Sequence, residues 1–175
     1  MIKLVIPSVE YLPSYSEAYD EFIENKIDRY HVTNPYETDI IKKYDEYRKE
    51  LNLKPGYVGA DTYWLVDEDK KYFIGEISIR HTLTEALKRY GGHIGYFVRY
   101  SEWNKGYGSL MLKLALEEAK KILKDDEILI TCDDDNIGSA MVMEHNGFVL
   151  KDKIENNIDG KDIITRRYVL KIGRW

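Results

Sequence analysis

The sequence predicts an α/β fold with a mixed, mostly antiparallel central sheet and flanking helices, and three observations lead to this class. Short β-branched runs alternate with longer amphipathic segments along the chain. Strand-like runs near the front and at the back are paired through short polar turns, as in hairpins. Between them, one strand feeds a long helix that leads into another strand, as in a crossover connection. The length of 175 residues predicts a single domain, residues 1–175.

The front third of the chain is predicted to be mostly helical. An apolar strand at residues 2–6 stops at Pro7, which cannot continue a hydrogen-bonded ladder. Apolar residues then recur at helical spacing over residues 11–27 and again over residues 37–51. Two amphipathic helices therefore follow the first strand.

The remainder of the chain alternates between strands and helices. The spacing of apolar residues and the turn residues predict strands at 62–66, 72–81, 94–98, 127–132, 148–154 and 163–172, and helices at 84–90, 106–124 and 139–145. The long helix that begins near Gly106 has the most regular apolar spacing. Asp159-Gly160 predicts the tight turn of a final hairpin.

Composition excludes several classes of function. The 26 Lys and Arg residues against 31 Asp and Glu give a net charge of -5, so no overall basic field attracts nucleic acid. No apolar run approaches the roughly 18 residues of a membrane span, and no signal peptide is recognisable. The single cysteine, Cys132, cannot form an intramolecular disulfide, which favours a reducing compartment. We therefore expect a cytoplasmic protein that binds neither nucleic acid nor membrane.

The loop before the long helix is the most informative segment for chemistry. It contains Trp103-Asn104-Lys105-Gly106-Tyr107-Gly108-Ser109. Glycines let the backbone approach a ligand, and the unpaired N–H groups of a first helical turn favour a phosphate or pyrophosphate. No Gly-Lys-Ser/Thr follows for a Walker loop, and Met111 stands where a dinucleotide fingerprint has its third glycine. On spacing alone, a tight turn without a ligand is the alternative.

Several stretches together resemble the GNAT superfamily of N-acetyltransferases. They are residues 98–109, the strand from Glu127, Asn136-Ile137-Gly138-Ser139, and Glu144-His145-Asn146-Gly147-Phe148. The core motif of that family, Q/R-x-x-G-x-G/A, corresponds to residues 103–108, with Trp103 at the position of Gln or Arg. The stretch at residues 92–96 is also similar to a bacterial subgroup of predicted acetyltransferases.

The resemblance implies the GNAT fold, in which a parallel pair of strands, 94–98 and 127–132, splays apart around the cosubstrate acetyl-CoA. The backbone groups of Phe97 and Val98 would pair with the pantetheine amides, and the amides of Gly106 to Ser109 would hold the pyrophosphate. A backbone N–H near Val98 would polarise the donor carbonyl. The implied cofactor-binding residues are Phe97, Val98, Trp103, Asn104, Lys105, Gly106, Tyr107, Gly108, Ser109, Asn136 and Ser139.

Two catalytic residues are predicted, Glu76 and His81. A general base must take a proton from an ammonium group, and Glu76 is the first candidate, with a pair to Arg80 or a solvated carboxylate as the alternative. His81 and His93 follow because imidazole titrates near neutrality, although each has a structural role as its alternative. The position that matches the proton-donating tyrosine of many family members is Met143, which cannot donate.

The predicted function is transfer of an acetyl group from acetyl-CoA to a primary amine of a small molecule, by direct attack in a ternary complex. Two alternatives stay open: acetylation of a protein amino group, and a non-catalytic acyl-CoA binding or sensing module, which Trp103 and Met143 suggest. No metal is expected, because the adjacent Asp133, Asp134 and Asp135 cannot all face one ion. The edge strands of the C-terminal hairpin leave a homodimer open.

Overall fold

The computed structural model describes residues 1–28 and 30–173. Short 3-10 turns at Val9–Tyr11 and Tyr100–Glu102 accompany the helices and strands. No helix in this part of the chain is long and apolar enough to cross a membrane. In chain order the elements are β1 (Ile2–Val5), α1 (Leu12–Glu24), α2 (Ile40–Arg48), β2 (Ala60–Asp67), β3 (Tyr72–Arg80), α3 (Glu85–Arg89), β4 (Ile94–Val98), α4 (Tyr107–Ile122), β5 (Glu127–Asp133), α5 (Ile137–His145), β6 (Val149–Ile158) and β7 (Lys161–Lys171).

The strands form two antiparallel sheets, one of order β1-β2-β3-β4 and one of order β5-β7-β6. Within the described residues, β4 and β5 form no ladder with each other, and they meet only near the start of β4. There Gly92 and Ile130 form an isolated bridge, and the His93 N–H donates to the Leu129 carbonyl at 2.7 Å. The α/β class is confirmed, and the predicted single sheet is divided in two at the splayed strand pair.

The strands have two chemically different faces. On the first, which we call the α4 face, residues such as Ile77, Ile94 and Ile130 pack in one apolar cluster with α4. On the second, which we call the opposite face, Trp64 and Phe97 pack in another cluster with residues of α1 and α2. Side chains that alternate along one strand therefore enter different environments.

Local capping explains where the structure differs from the predicted boundaries. The second helix begins at Ile40 and not at residue 37, because the Asp39 carboxylate accepts a hydrogen bond from the Lys42 N–H at 3.0 Å. The final hairpin is longer than predicted. Its turn residues Asp159 and Gly160 have φ of 52° and 78°, as a two-residue hairpin loop requires.

Candidate functional site

A cleft of about 780 Å³ lies beside the end of β4, between the first turns of α4 and α5. The chain after α1 covers one side of it with residues 26–28 and Tyr30. Of the eleven residues predicted to bind the cofactor, ten line the cleft: Phe97, Val98, Trp103, Asn104, Gly106, Tyr107, Gly108, Ser109, Asn136 and Ser139. Only Lys105 lies outside it, and its ammonium group bonds to the Glu102 carboxylate at 3.0 Å.

The glycine loop takes a backbone shape that few other sequences allow. Asn104 and Gly106 both have left-handed backbone, with φ of 60° and 81°, and Gly106 directly precedes α4. The Leu110 N–H donates the first helical hydrogen bond, to the Gly106 carbonyl. The N–H groups of residues 107–109 therefore have no partner within the helix. These amides belong to residues that line the cleft. They form a site suited to an anion such as a pyrophosphate.

Gly108 serves packing as well as ligand approach. A Cβ built at Gly108 would lie 3.1 Å from a methyl group of Val142 on α5. The absence of a side chain therefore lets α5 approach the start of α4 closely. The glycine motif therefore positions the start of α4 and also the neighbouring α5, which form two sides of the cleft.

Trp103 fixes the loop to the end of β4. Its indole N–H donates to the Val98 carbonyl at 2.8 Å, and its ring packs edge-on against those of Tyr100 and Tyr30. The tryptophan that replaces the Gln or Arg of the family motif therefore holds the loop and bonds a carbonyl of the strand. Sequence reasoning did not foresee this contact.

The free edge of β4 offers backbone groups to an extended ligand. The Arg80 N–H donates to the His93 carbonyl and the Arg99 N–H to the Ile74 carbonyl, both at 2.7 Å. Backbone groups alternate along an antiparallel ladder, so those of Phe97 face β3, whereas those of Tyr96 and Val98 face the free edge. The prediction that the Phe97 backbone pairs with the ligand is therefore not supported, although its side chain lines the cleft. The Val98 N–H remains the donor nearest the loop.

Two hydroxyl groups meet inside the cleft. The Tyr96 hydroxyl lies 2.7 Å from the Ser139 hydroxyl, and Asn136 caps α5 by accepting the Ser139 N–H at 3.2 Å. Burial raises the pKa of Tyr96 above its usual range, so the phenol stays protonated at neutral pH. Met143 lies fully buried in the core and away from the cleft. Tyr96 and Ser139 therefore carry hydroxyl groups that can donate a proton within the cleft, which Met143 does not line.

Glu76 is neither paired with Arg80 nor solvated. It is 7% exposed, and its oxygens accept hydrogen bonds at 2.9 Å from the Tyr44 hydroxyl and the Trp64 indole N–H. Burial raises the pKa of this carboxyl to about 7, although both hydrogen bonds and the nearby Lys43 oppose the rise. It lies opposite Phe97 in the β3–β4 register, one strand inward from the cleft edge.

The two histidine candidates lie outside the cleft. His81 is held between the carboxylates of Glu50, at 2.8 Å, and Asp61, at 3.1 Å. His93 is buried, and its Nδ1 accepts the Leu129 N–H at 2.9 Å while its Nε2 faces Asp125 at 3.0 Å. His93 thereby connects the two sheets, and the structure places neither ring beside the predicted cofactor residues.

Comparison with protein families decides the assignment. A family model described as an acetyltransferase (GNAT) domain matches residues 14–149. The chain belongs to the GNAT family. It is therefore an acetyl-CoA-dependent N-acetyltransferase, and acetyl-CoA is its cosubstrate. The helix-start amides and the free edge of β4 are the groups of this GNAT chain that could hold the cosubstrate.

Solved structures show the same fold at low sequence identity. The ribosomal L7/L12 α-N-protein acetyltransferase RimL in complex with coenzyme A is 18% identical, with a TM-score of 0.72, over 98% of this chain and 94% of that one. An acetyltransferase from Salmonella typhimurium that modifies the N-terminal serine of L7/L12 is 18% identical, with a TM-score of 0.71, over 98% of this chain and 95% of that one. The microcin C7 self-immunity acetyltransferase MccE, in complex with acetyl-CoA and AMP, is 17% identical, with a TM-score of 0.72, over 98% of this chain and 92% of that one. A search of curated protein sequences found no match.

Proposed function

We propose that this GNAT enzyme acetylates a primary amine of a small molecule by direct attack of the amine on the thioester. The observation that carries this proposal is the combination, in one cleft, of helix-start amides, a free Val98 N–H and the Tyr96–Ser139 hydroxyl pair. Together these groups can hold an anion, polarise a carbonyl and protonate a leaving thiolate.

The reaction balances without an acetyl-enzyme. The amine nitrogen forms a bond to the carbonyl carbon and the carbon–sulfur bond breaks. The Tyr96–Ser139 pair supplies a proton to the sulfur and regains one, through water, from the nitrogen of the new amide. Glu76 is the proposed acceptor of the ammonium proton, reached through water or the Tyr44 hydroxyl, because it is half ionised near neutral pH. Cys132 is a poor acyl carrier, since it is buried and its thiol pKa is raised to about 11.

Residues of the segment after α1 line one side of the cleft and bear on the size of the acceptor. Tyr30 lines it, and its ring packs against those of Trp103 and Phe22, with centroids 6.2 Å apart in both pairs. A covered cleft favours a small acceptor over an extended protein surface. By their descriptions, two of these neighbours act on a ribosomal protein and a third was solved with acetyl-CoA and AMP, so the experiment must offer both kinds of acceptor.

The test begins with calorimetric titration of acetyl-CoA, followed by a thiol-release assay with small primary amines and with peptides that carry free N-termini. We expect turnover of at least one class of small amine and no acetylated protein by mass spectrometry when the amine is omitted. Turnover of peptides alone would establish the protein acceptor instead. Binding without turnover of either set would indicate the sensing module.

A further inference from the structure

Arg80 is a sheltered cation without an anion. Its guanidinium lies over Gly95 of β4, where a built Cβ would be 3.4 Å from Nη2. Among the residues that the structure describes, only Nη1 has partners, donating to the Gly92 carbonyl at 2.9 Å and the Gly91 carbonyl at 3.3 Å. No carboxylate among the described residues lies within ion-pair distance, and desolvation lowers the Arg80 pKa. A guanidinium in such a place normally has a carboxylate or phosphate partner.

Arg80 belongs to the opposite face of the sheet, where the two diverging strands are closest. The Gly91 carbonyl accepts from Arg80, and the Gly91 N–H donates to the Thr131 hydroxyl of β5 at 2.8 Å. Arg80, Gly95 and Thr131 are all partly exposed. Arg80 is therefore a partly exposed residue beside the gap between β4 and β5, on the side away from α4.

Asp133 adds a second unpartnered group on the same face. It lies two residues beyond Thr131, so the two side chains share a face and stand about 7 Å apart. Its Oδ1 is buried and has no hydrogen-bond partner within residues 1–28 and 30–173. The neighbouring Asp134 is instead satisfied by Arg166 at 2.7 Å and Lys153 at 2.8 Å. A buried oxygen without a donor is costly unless a ligand supplies one.

We propose that the acceptor is an amino-acid-like molecule, an amine that also carries a carboxylate or phosphate, with its anionic group on Arg80 and an N–H group directed toward Asp133. Such a molecule would supply an anion to Arg80 and a donor to Asp133. Arg80 also has three N–H groups beyond its two backbone contacts, enough for a bidentate anion. This inference deepens the proposed function and rests on it.

The experiment compares acceptor pairs that differ only in the anion. Amino acids are offered beside their carboxamides, and ethanolamine phosphate beside ethanolamine, so that the two pairs separate carboxylate from phosphate recognition. We expect kcat/KM to be at least tenfold higher for one anionic member. Arg80→Met should abolish that preference and leave the acetyl-CoA affinity within twofold. Arg166→Met, at an arginine already paired with Asp134, is the matched control and should keep the preference.

Two further variants keep the test decisive. Arg80→Lys retains the charge and loses the planar fork, so it should lose most of the preference even if Arg80→Met does not fold. Asp133→Asn should lower kcat/KM for both members of a pair. Equal rates within every pair, or a preference that survives at Arg80→Lys and Arg80→Met, would overturn the anion site while leaving the proposed function intact. Failure to acetylate any small amine would overturn both.

Discussion

The cofactor side of this enzyme offers mainly backbone groups to a ligand, whereas the opposite face offers side chains. On the cofactor side, the chemistry resides in the backbone: left-handed residues at Asn104 and Gly106, free amides at the start of α4, and the exposed edge of β4. On the opposite face it resides in side chains, Glu76, Arg80 and Asp133, which come from two separate strands. The backbone groups of the first site, residues 96–109, are therefore continuous in sequence, whereas the second site exists only once the sheets have formed.

This difference predicts how each side responds to substitution. A backbone site is damaged by any side chain that blocks the approach of the ligand, whatever the chemistry of that side chain. A side-chain site is damaged by loss of a particular charge or hydrogen bond, while the fold around it remains. Substitutions on the two sides should thus separate affinity for acetyl-CoA from rate and acceptor choice.

The largest effect is expected at the helix start. Gly106→Glu places a carboxylate beside the amides that would hold the pyrophosphate, and it should weaken acetyl-CoA binding about 300-fold, since charged hydrogen bonds contribute about 1.5–3 kcal/mol each. Gly160→Glu is the matched control, because Gly160 also has left-handed backbone, with φ of 78°, and open space around it. Calorimetry should show unchanged affinity for the control. Equal weakening in both variants would mean that backbone strain, and not the ligand site, explains the loss.

The next effect tests the opposite face through proton transfer. Glu76→Gln removes a carboxyl whose pKa burial raises to about 7, and it should lower the rate about 100-fold. The wild-type rate should rise as pH increases through 7, because only the ionised form accepts a proton, and the variant should lack that rise. His81→Gln should retain both rate and pH profile, since His81 bonds to Glu50 and Asp61 outside the cleft. A rise that persists in Glu76→Gln would assign the base to another group.

The same difference explains what the sequence could predict. The glycine motif and the Asn136 cap are local, so ten of the eleven proposed cofactor residues were placed at the cleft. The burial of Glu76 by Tyr44 and Trp64 depends on contacts 32 and 12 residues apart. Spacing along β3 could place Glu76 and Arg80 on one face but could not show that they are unpaired with each other.

The strand pair shows the same limit for the fold. Periodicity located both β4 and β5, and the resemblance implied that they splay apart. The two strands approach each other at Gly92, where a built Cβ would lie 2.4 Å from the Leu129 carbonyl oxygen, so this close approach requires a glycine. The Tyr96–Ser139 contact crosses 43 residues, so no local pattern could have indicated it.

A smaller effect is expected where a side chain acts on the cofactor side. Tyr96→Phe removes the hydroxyl that bonds Ser139 and should lower kcat about tenfold, with acetyl-CoA affinity within twofold. Ser139→Ala should have a similar effect, and the double variant should be no worse than either single one if the two hydroxyls act as a unit. Tyr107→Phe is the control, since Tyr107 also lines the cleft. Additive losses would show that the two hydroxyls act independently.

The smallest effect compares the same substitution on the two sides. Trp103→Phe loses one hydrogen bond to the Val98 carbonyl at the cleft, where water can replace it, and should lower the free energy of unfolding by about 1 kcal/mol. Trp64→Phe removes a donor from the buried Glu76 carboxylate, so it should cost about 2–3 kcal/mol and raise the pKa of Glu76 further. Urea titration measures the first difference, and an upward shift of the pH–rate profile measures the second. Equal losses in the free energy of unfolding for the two tryptophan variants would show that burial on the opposite face does not strengthen the side-chain contacts there. The two sides would then differ only in how far apart in sequence their contacting residues lie.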